Sequence, residues 1–255
     1  MTRLSDYAEK YQGIAMTREG GVLEMTLHTR GGPAKWGSSP DSLHGELGDA
    51  FLDVARDPEN KVIVLTGTGE SFIDGFDPSL SFPEPDMASM WPRIYDEGNA
   101  LLQNLLAIPM PMIAAVNGPA LIHAEIPVMC DIVLAAEHAE FADLAHFPNG
   151  TVPGDGVHVI WPMLLGPNRG RYFLLTGERI GASEANRLGV VGEVLPPAEL
   201  LPRARALAQS MAAMPTAALR YTRSLLTREL RRRMADELAS GLAHEALATL
   251  VTDKG

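Results

Sequence analysis

The stretch KVIVLTGTGESFIDGFDPSL, residues 61–80, decides the fold. Its first part, Lys61–Thr66, is a short apolar run rich in β-branched residues. Such a run suits a strand buried on both faces, as in parallel sheets. The Gly- and Asp-containing remainder predicts a loop. Downstream, Met90, Ile94, Leu101, Leu102, Leu105 and Leu106 recur at helical spacing. Pro109 and Pro111 then lead into a strand at Met112–Val116, which Asn117-Gly118-Pro119 ends, and another strand follows a helical piece at Asp131–Ala136. Upstream, residues 13–28 read as a hairpin around Gly20-Gly21. Leu43, Leu47, Ala50, Phe51 and Val54 mark a helix that stops before Asp57-Pro58. Strand, helix, strand at this spacing means parallel strands with crossover helices, an α/β fold.

Past residue 158 the pattern turns helical, at roughly 158–164, 168–176, 183–188, 198–213, 216–230 and 233–249. A short strand at Val191–Leu195 interrupts it. Gly177 and Gly189 stand where C-terminal caps belong. The chain divides on this pattern into an α/β core over residues 1–197 and a helical region over 198–255. The last three helices need another surface for their apolar sides, and a subunit interface is the obvious one.

Composition narrows the function classes. At 255 residues and 46% hydrophobic content the chain can bury a full core. A net charge of −11 argues against nucleic acid and anionic membranes as partners. The basic cluster Arg228, Arg231, Arg232, Arg233 alternates with Glu229, Asp236 and Glu237, as a solvated or interface helix face does. The single Cys130 rules out an internal disulfide, and its apolar neighbours predict a buried thiol. No signal-like or membrane-length apolar run is present, so a soluble, cytoplasmic protein is expected. GTGES at 67–71 lacks the Lys-Ser/Thr of a phosphate loop. No dinucleotide fingerprint, metal-spaced His pair or nucleophile elbow occurs.

The chemistry concentrates in FADLAHFPNGTVPGDGVH, residues 141–158. Its glycines let the loop fold back and bring Asp155 to His146. A carboxylate on one ring nitrogen fixes the tautomer and leaves the other as a base, enough to activate water. The plainer reading, a surface His and a helix-capping Asp, stands beside it.

Several segments together resemble a known family: VIVLTGTGESFIDGFD (62–77), IPMPMIAAVNGPA (108–120), EIPVMCDIVLAAEHAEFA (125–142), GTVPGDG (150–156) and GRYFLLTGERIGASEANRLGVVGEV (170–194). In this order they resemble the crotonase (enoyl-CoA hydratase/isomerase) superfamily. The resemblance implies a spiral of ββα units closed by a C-terminal helical trimerisation region, assembled as a homotrimer or a dimer of trimers. The departures point to its function. Where hydratases carry their second glutamate, this chain has Ala145-His146, although Glu125 stands at the position of the first. Pro119–His123 replaces a Gly-Gly-Gly stretch, and RGGPAKWGSS (30–39) replaces a segment that shapes the coenzyme A site. Both changes argue against coenzyme A. They are similar to one branch, the β-diketone hydrolases that include 6-oxocamphor hydrolase.

That branch implies cleavage of a cyclic or bicyclic β-diketone by retro-Claisen hydrolysis, without metal or cofactor. Water adds to one carbonyl, and the leaving carbanion becomes an enolate on the other. His146 is then the base, and Asp155 orients it. His123 and the Trp36 indole donate to the carbonyls, and the Phe76 N–H is an oxyanion donor. Glu245 and His44 wall the pocket or return the proton. Leu80, Phe82, Leu121 and Ile122 are expected apolar walls. Plainer readings exist: His123 as a satisfied core histidine, Trp36 as mere lining, Glu245 as solvent-facing, Glu125 as an ion-paired structural acid. Two other functions stay open, a divergent acyl-CoA hydratase or isomerase using Glu125 and His146, and a non-catalytic scaffold.

Overall fold

The computed structural model describes residues 2–80 and 87–251, apart from the side chains of Met87 and Ala88. A short helix, α1 (Leu4–Tyr7), precedes the hairpin β1 (Ile14–Glu19) and β2 (Val22–Leu27). The repeating part follows as α2 (Leu43–Arg56), β3 (Val62–Gly67), α3 (Met87–Ala107), β4 (Met112–Val116), α4 (Glu125–Val128) and β5 (Ile132–Ala136). Next come β6 (Glu140–Phe141), α5 (Val157–Leu165), α6 (Pro167–Thr176), β7 (Ile180–Gly181), α7 (Ala182–Arg187) and β8 (Glu193–Leu195). The chain closes with α8 (Pro197–Ala212), α9 (Thr216–Leu226) and α10 (Arg228–Leu250).

The main sheet runs β1-β2-β3-β4-β5-β8. Within this sheet β1 and β2 pair antiparallel and every later pairing is parallel, while β6 and β7 form a separate antiparallel pair. Register is set by apolar matches such as Leu23 with Ile63, Ile63 with Met112, and Ile113 with Ile132. The Val62–Leu65 run is buried throughout because both faces are covered. Ile63 and Leu65 enter the main core with α2 and α3, whereas Val62 and Val64 face α8. Along α8, Leu200, Ala204, Ala208 and Ala212 recur every four residues and are buried on that second face. Small side chains there let the helix lie close to the sheet. Of the three C-terminal helices, α8 therefore finds its surface within this chain. The last helix, α10, lies along α3 and α5, and α9 stands outermost with Tyr221, Leu225 and Leu226 exposed.

Element boundaries shift by a few residues from those expected. The last strand covers Glu193–Leu195, and the final helices break at Thr227. Cys130 is buried and free, as its neighbours predict. No helix among the described residues is long and apolar enough to cross a membrane.

Candidate active site

Asp143 and His146 lie on the turn after β6, three residues apart, and a 3-10 turn (Phe147–Asn149) begins at the histidine. The His146 carbonyl accepts the N–H groups of Asn149 and Thr151, which fixes the turn. Its imidazole is almost fully buried, with Nδ1 2.6 Å from Asp143 Oδ1. The loop then returns, and Asp155 Oδ2 reaches the other nitrogen, Nε2, at 3.2 Å. Each ring nitrogen thus faces its own carboxylate. The expected His146–Asp155 pair forms, and a second carboxylate, Asp143, occupies the nitrogen that the sequence reading left free. A helix-like i−3 spacing places Asp143 at Nδ1, and the returning loop delivers Asp155 to the opposite edge of the ring.

Asp155 also joins the second histidine. His123 Nδ1 lies 2.8 Å from Asp155 Oδ2 and 2.8 Å from Glu125 Oε1. His123 has φ of 54°, a left-handed conformation unusual for a residue with a side chain. This kink opens α4 and aims the imidazole back at the loop. The face of Trp36 stacks on His123 at 3.9 Å between centroids, tilted by 31°. His44 meets Trp36 edge-on at 5.7 Å, and His123 meets His146 edge-on at 5.6 Å.

These groups wall one cavity of about 530 Å³. Its apolar side comes from Ile94, Leu101 and Leu102 of α3 and Leu242 of α10, with Ala145 from the histidine turn. Glu245 enters from α10, one turn beyond Gly241. Gly241 and Gly154 pack backbone to backbone, and a Cβ on either would collide with the other's carbonyl. This bare contact lets α10 lie close against the Asp155 loop. Phe76 stands at the cavity wall, half exposed. The backbone N–H of Trp36 donates to the Gly75 carbonyl, and the Trp36 carbonyl accepts from the Asp77 N–H, at 2.9 and 2.8 Å. The Phe76 N–H, between the two, takes no part in that bridge.

Not every expected wall residue is here. Ile122 packs into the main core and does not line the cavity, because the left-handed turn at His123 points the two side chains apart. Leu80 and Leu121 are likewise absent from its lining. Phe82 lies outside the described residues. Sequence reasoning missed Asp143, Glu97 and Trp91. Asp143 had a signal, its i−3 spacing from His146. Trp91 and Glu97 sit on α3, whose stripe reads simply as core.

Burial opposes charge on both histidines, yet the facing carboxylates outweigh it. Glu125 and Asp155 hold His123 up at about 10. Asp155 and Asp143 hold His146 well above its ordinary 6.5. Asp155 is correspondingly kept well below the usual carboxylate range, against its own burial, by the two imidazoles. Burial raises Glu125 to about 7, the nearby His123 pulling the other way. Glu245 is raised to about 8 by burial and then by the Asp155 charge. One oxygen each of Glu125, Asp143, Asp155 and Glu245 is buried without a hydrogen-bond partner, as is the Trp91 indole nitrogen. Buried polar atoms without partners are costly, so this cluster is built to meet a ligand.

His123, Glu125 and Asp155 bring one ligand atom each within 4.8 Å of one another, the donor set of a divalent-ion site. Ligation by His123 Nδ1 needs a free lone pair. That nitrogen instead sits between two carboxylates at hydrogen-bond distance.

A cavity holding imidazoles between carboxylates, protonatable acids and an apolar wall can transfer protons to and from a small, oxygen-bearing, largely apolar ligand. A structure of a β-diketone hydrolase from the cyanobacterium Anabaena sp. PCC 7120, bound to (S)-3-oxocyclohexyl acetic acid, is 42% identical with a TM-score of 0.92, covering 97% of this chain and 98% of that one. An enoyl-CoA hydratase/isomerase from Mycobacterium paratuberculosis is 26% identical with a TM-score of 0.83, covering 94% and 95%. Carnitinyl-CoA dehydratase from Escherichia coli strain K12 is 34% identical over 203 residues, 78% of this chain and 74% of that protein. The enoyl-CoA hydratase/isomerase family model matches residues 17–248. With nearly the whole chain matched and its parallel sheet closed by helices in the family's manner, this protein belongs to the enoyl-CoA hydratase/isomerase family, the crotonase superfamily.

Proposed function

We propose that this protein is a carbon–carbon bond hydrolase that opens a cyclic or bicyclic β-diketone by retro-Claisen cleavage to a keto acid. The observation that carries the reading is the Asp143–His146–Asp155–His123–Glu125 network, of which His146, Asp155, His123 and Glu125 line a largely apolar cavity. The 42%-identical hydrolase supports it, since the keto acid bound there is what water would make from a bicyclic 1,3-diketone.

In this reading water approaches from the cavity the edge of His146 that faces Asp155. Nε2 takes its proton while Asp143 holds Nδ1 and stabilises the cation that forms. The hydroxide adds to one carbonyl, and the bond to the carbon between the carbonyls breaks. Its electron pair becomes an enolate on the second carbonyl, which His123 and the Phe76 N–H stabilise by donation. Trp36 keeps His123 in place by stacking. Glu245, protonated near neutral pH, is placed to return a proton to carbon. General base catalysis of this kind contributes on the order of 10²–10⁴-fold. No metal or organic cofactor takes part. The exposed Tyr221, Leu225 and Leu226 of α9, with Leu247 and Leu250 of α10, support self-association into a trimer or a dimer of trimers.

One observation favours a second reading. Glu125 survives at the position of the family's first acid, with a pKa near 7 and a free oxygen, as an acyl-CoA hydratase would use it. Incubation with a bicyclic 1,3-diketone in ¹⁸O-water separates the two. Hydrolysis places one ¹⁸O in the new carboxylate, with no coenzyme A added. Turnover of an enoyl-CoA with no diketone consumed would replace the first reading by the second.

A further inference from the structure

Trp91 carries a hydrogen-bond donor that the hydrolysis leaves unused. It stands near the start of α3, is 6% exposed, and lines the cavity. Its indole Nε1 is buried and bonds to no protein atom. An indole nitrogen is a donor only, with no tautomer that accepts, so it can be satisfied only by an acceptor. A buried donor left unpaired is costly, and packing alone would not need the nitrogen.

The packing of α3 on α10 places this donor within the cavity. Leu102 of α3 and Met234 of α10 both come up against Gly156, and Leu242 lies against Gly98. The two helices therefore run antiparallel beside the cavity. Trp91 comes seven residues before Gly98 and Thr249 seven after Leu242, and both line the cavity. The reacting groups gather at the Gly98 end. His44, whose Nδ1 lies 2.9 Å from Glu97 of α3, has its Nε2 beside Gly98, and Asp155 follows the Gly154 that packs on Gly241 and Glu245. Seven helical residues, about 10 Å of rise, set Trp91 back from that level.

The two oxygens of a 1,3-dicarbonyl sit on carbons only two bonds apart. Both are engaged at the reacting end, one on the carbon that the water attacks at His146, the other by His123 and the Phe76 N–H. Neither spans two helical turns to Trp91. We propose that Trp91 is a specificity-determining residue that donates its indole N–H to a third oxygen of the substrate, carried outside the 1,3-diketone. That oxygen is neutral, a carbonyl, ether or hydroxyl. Among the described residues no lysine or arginine lines the cavity, which already holds Glu125, Asp155 and Glu245, and the neighbours of Trp91 on α3 that share the lining are Met90 and Ile94. One uncharged donor in an apolar wall suits a neutral acceptor. The inference rests on the diketone reading and names what the substrate bears besides its two carbonyls.

The test uses the full-length protein and matched pairs of bicyclic 1,3-diketones bearing a straight side chain. One member of each pair has a ketone carbonyl in the chain, the other a CH₂ at the same place, and that place is moved outward one carbon at a time. For at least one pair, wild type should favour the ketone by about tenfold in kcat/KM, the net worth of one hydrogen bond. Trp91→Phe keeps an aromatic ring without the N–H, and its ratio between the same two members should fall to about one. A merely structural Trp91 would slow both members alike and leave the ratio where wild type has it. No preference in wild type for any pair, or a preference that W91F retains, overturns the inference. If W91F does not fold, a crystal structure of wild type with the favoured ketone decides: a side-chain carbonyl oxygen within hydrogen-bond distance of Trp91 Nε1 supports the contact, and one placed elsewhere overturns it. Calorimetric binding of the same pairs keeps the two claims apart. A wild type that binds them but cleaves none defeats the hydrolase reading alone, and tighter binding of the ketone that W91F abolishes then still supports the third-oxygen contact, whereas equal binding of the two members overturns it. A wild type that neither binds nor cleaves any of them overturns both.

Discussion

The carboxylate of Asp143 meets Nδ1 of His146 at 2.6 Å, from three residues upstream on the same turn. In the proposed reaction this contact fixes which nitrogen carries a proton when water arrives. Asp143→Asn keeps the shape but can hold the ring in the wrong tautomer. It should lower kcat on the diketone by on the order of 10³-fold with little change in KM. His146→Ala should lose at least as much. Steady-state kinetics beside circular dichroism check both, and a D143N enzyme at full rate would remove Asp143 from the mechanism.

The same ion pairs set a pH dependence. Asp155 and Asp143 hold the His146 proton well above 6.5, so the base form is scarce at neutrality. The rate kcat/KM should climb with pH, with its midpoint above 6.5, as free-enzyme His146 loses that proton. Asp155→Asn removes one of the two carboxylates and should shift the midpoint downward while reducing the maximum. The groups titrate together, so the profile reports apparent values of the cluster. A midpoint at 6.5 that D155N leaves in place would contradict the ion pairing.

Stability should fall toward alkaline pH, for a reason that can be isolated. Glu245 sits near 8 in the folded protein against 4.5 ordinarily, chiefly through burial. The folded state thus holds this proton more tightly than the unfolded chain, and stability drops as pH rises from about 4.5 through about 8. His123, raised to about 10, acts in the same direction: its contribution is complete below 6.5 and is lost as pH passes 10. Glu245→Gln removes the first effect. Calorimetric melting should show E245Q more stable than wild type at pH 9 and closer to it at pH 5. Parallel melting curves across that range would mean the carboxyl is ionised throughout.

Away from the cavity, Arg223 suits a deletion test because it is buried. Its guanidinium pairs with Asp131 at 2.7 Å and caps the C-terminal carbonyls of α3 at Leu106 and Ile108. Arg223→Ala strands a partly buried carboxylate and those carbonyls together. It should cost about 3 kcal/mol, near the lower end for a broken buried pair. At this chain length that is a melting temperature lower by roughly 6–12 °C. Unchanged melting would show that water replaces the guanidinium without penalty.

The fold could be read from sequence because its signals are local. Val62–Leu65 needs two covered faces, and the structure supplies α2 and α3 on one and α8 on the other. The alanine repeat of α8 was read only as a helix seeking a surface, since nothing local shows which surface lies opposite. At the site, His146, Asp155, His123, Trp36, His44 and Glu245 all reach one cavity. Their convergence came from family pattern and loop glycines. The finer geometry did not follow. Which nitrogen meets which acid depends on the path of a returning loop, and Ile122 is turned into the core by one positive φ at its neighbour. Glu97 was invisible because a carboxylate on a helix is ordinarily solvated, and only the packing of α2 on α3 sets it against His44.

The glycine seam between residues 154 and 241 reaches beyond local fit. One acid on the loop and one on the last helix are registered through it, so neither can be moved independently. Anyone reshaping this protein for bulkier molecules should trim Leu101, Ile94 or Leu242 and leave the seam bare. A single methyl group there would pry two distant parts of the chain apart at once.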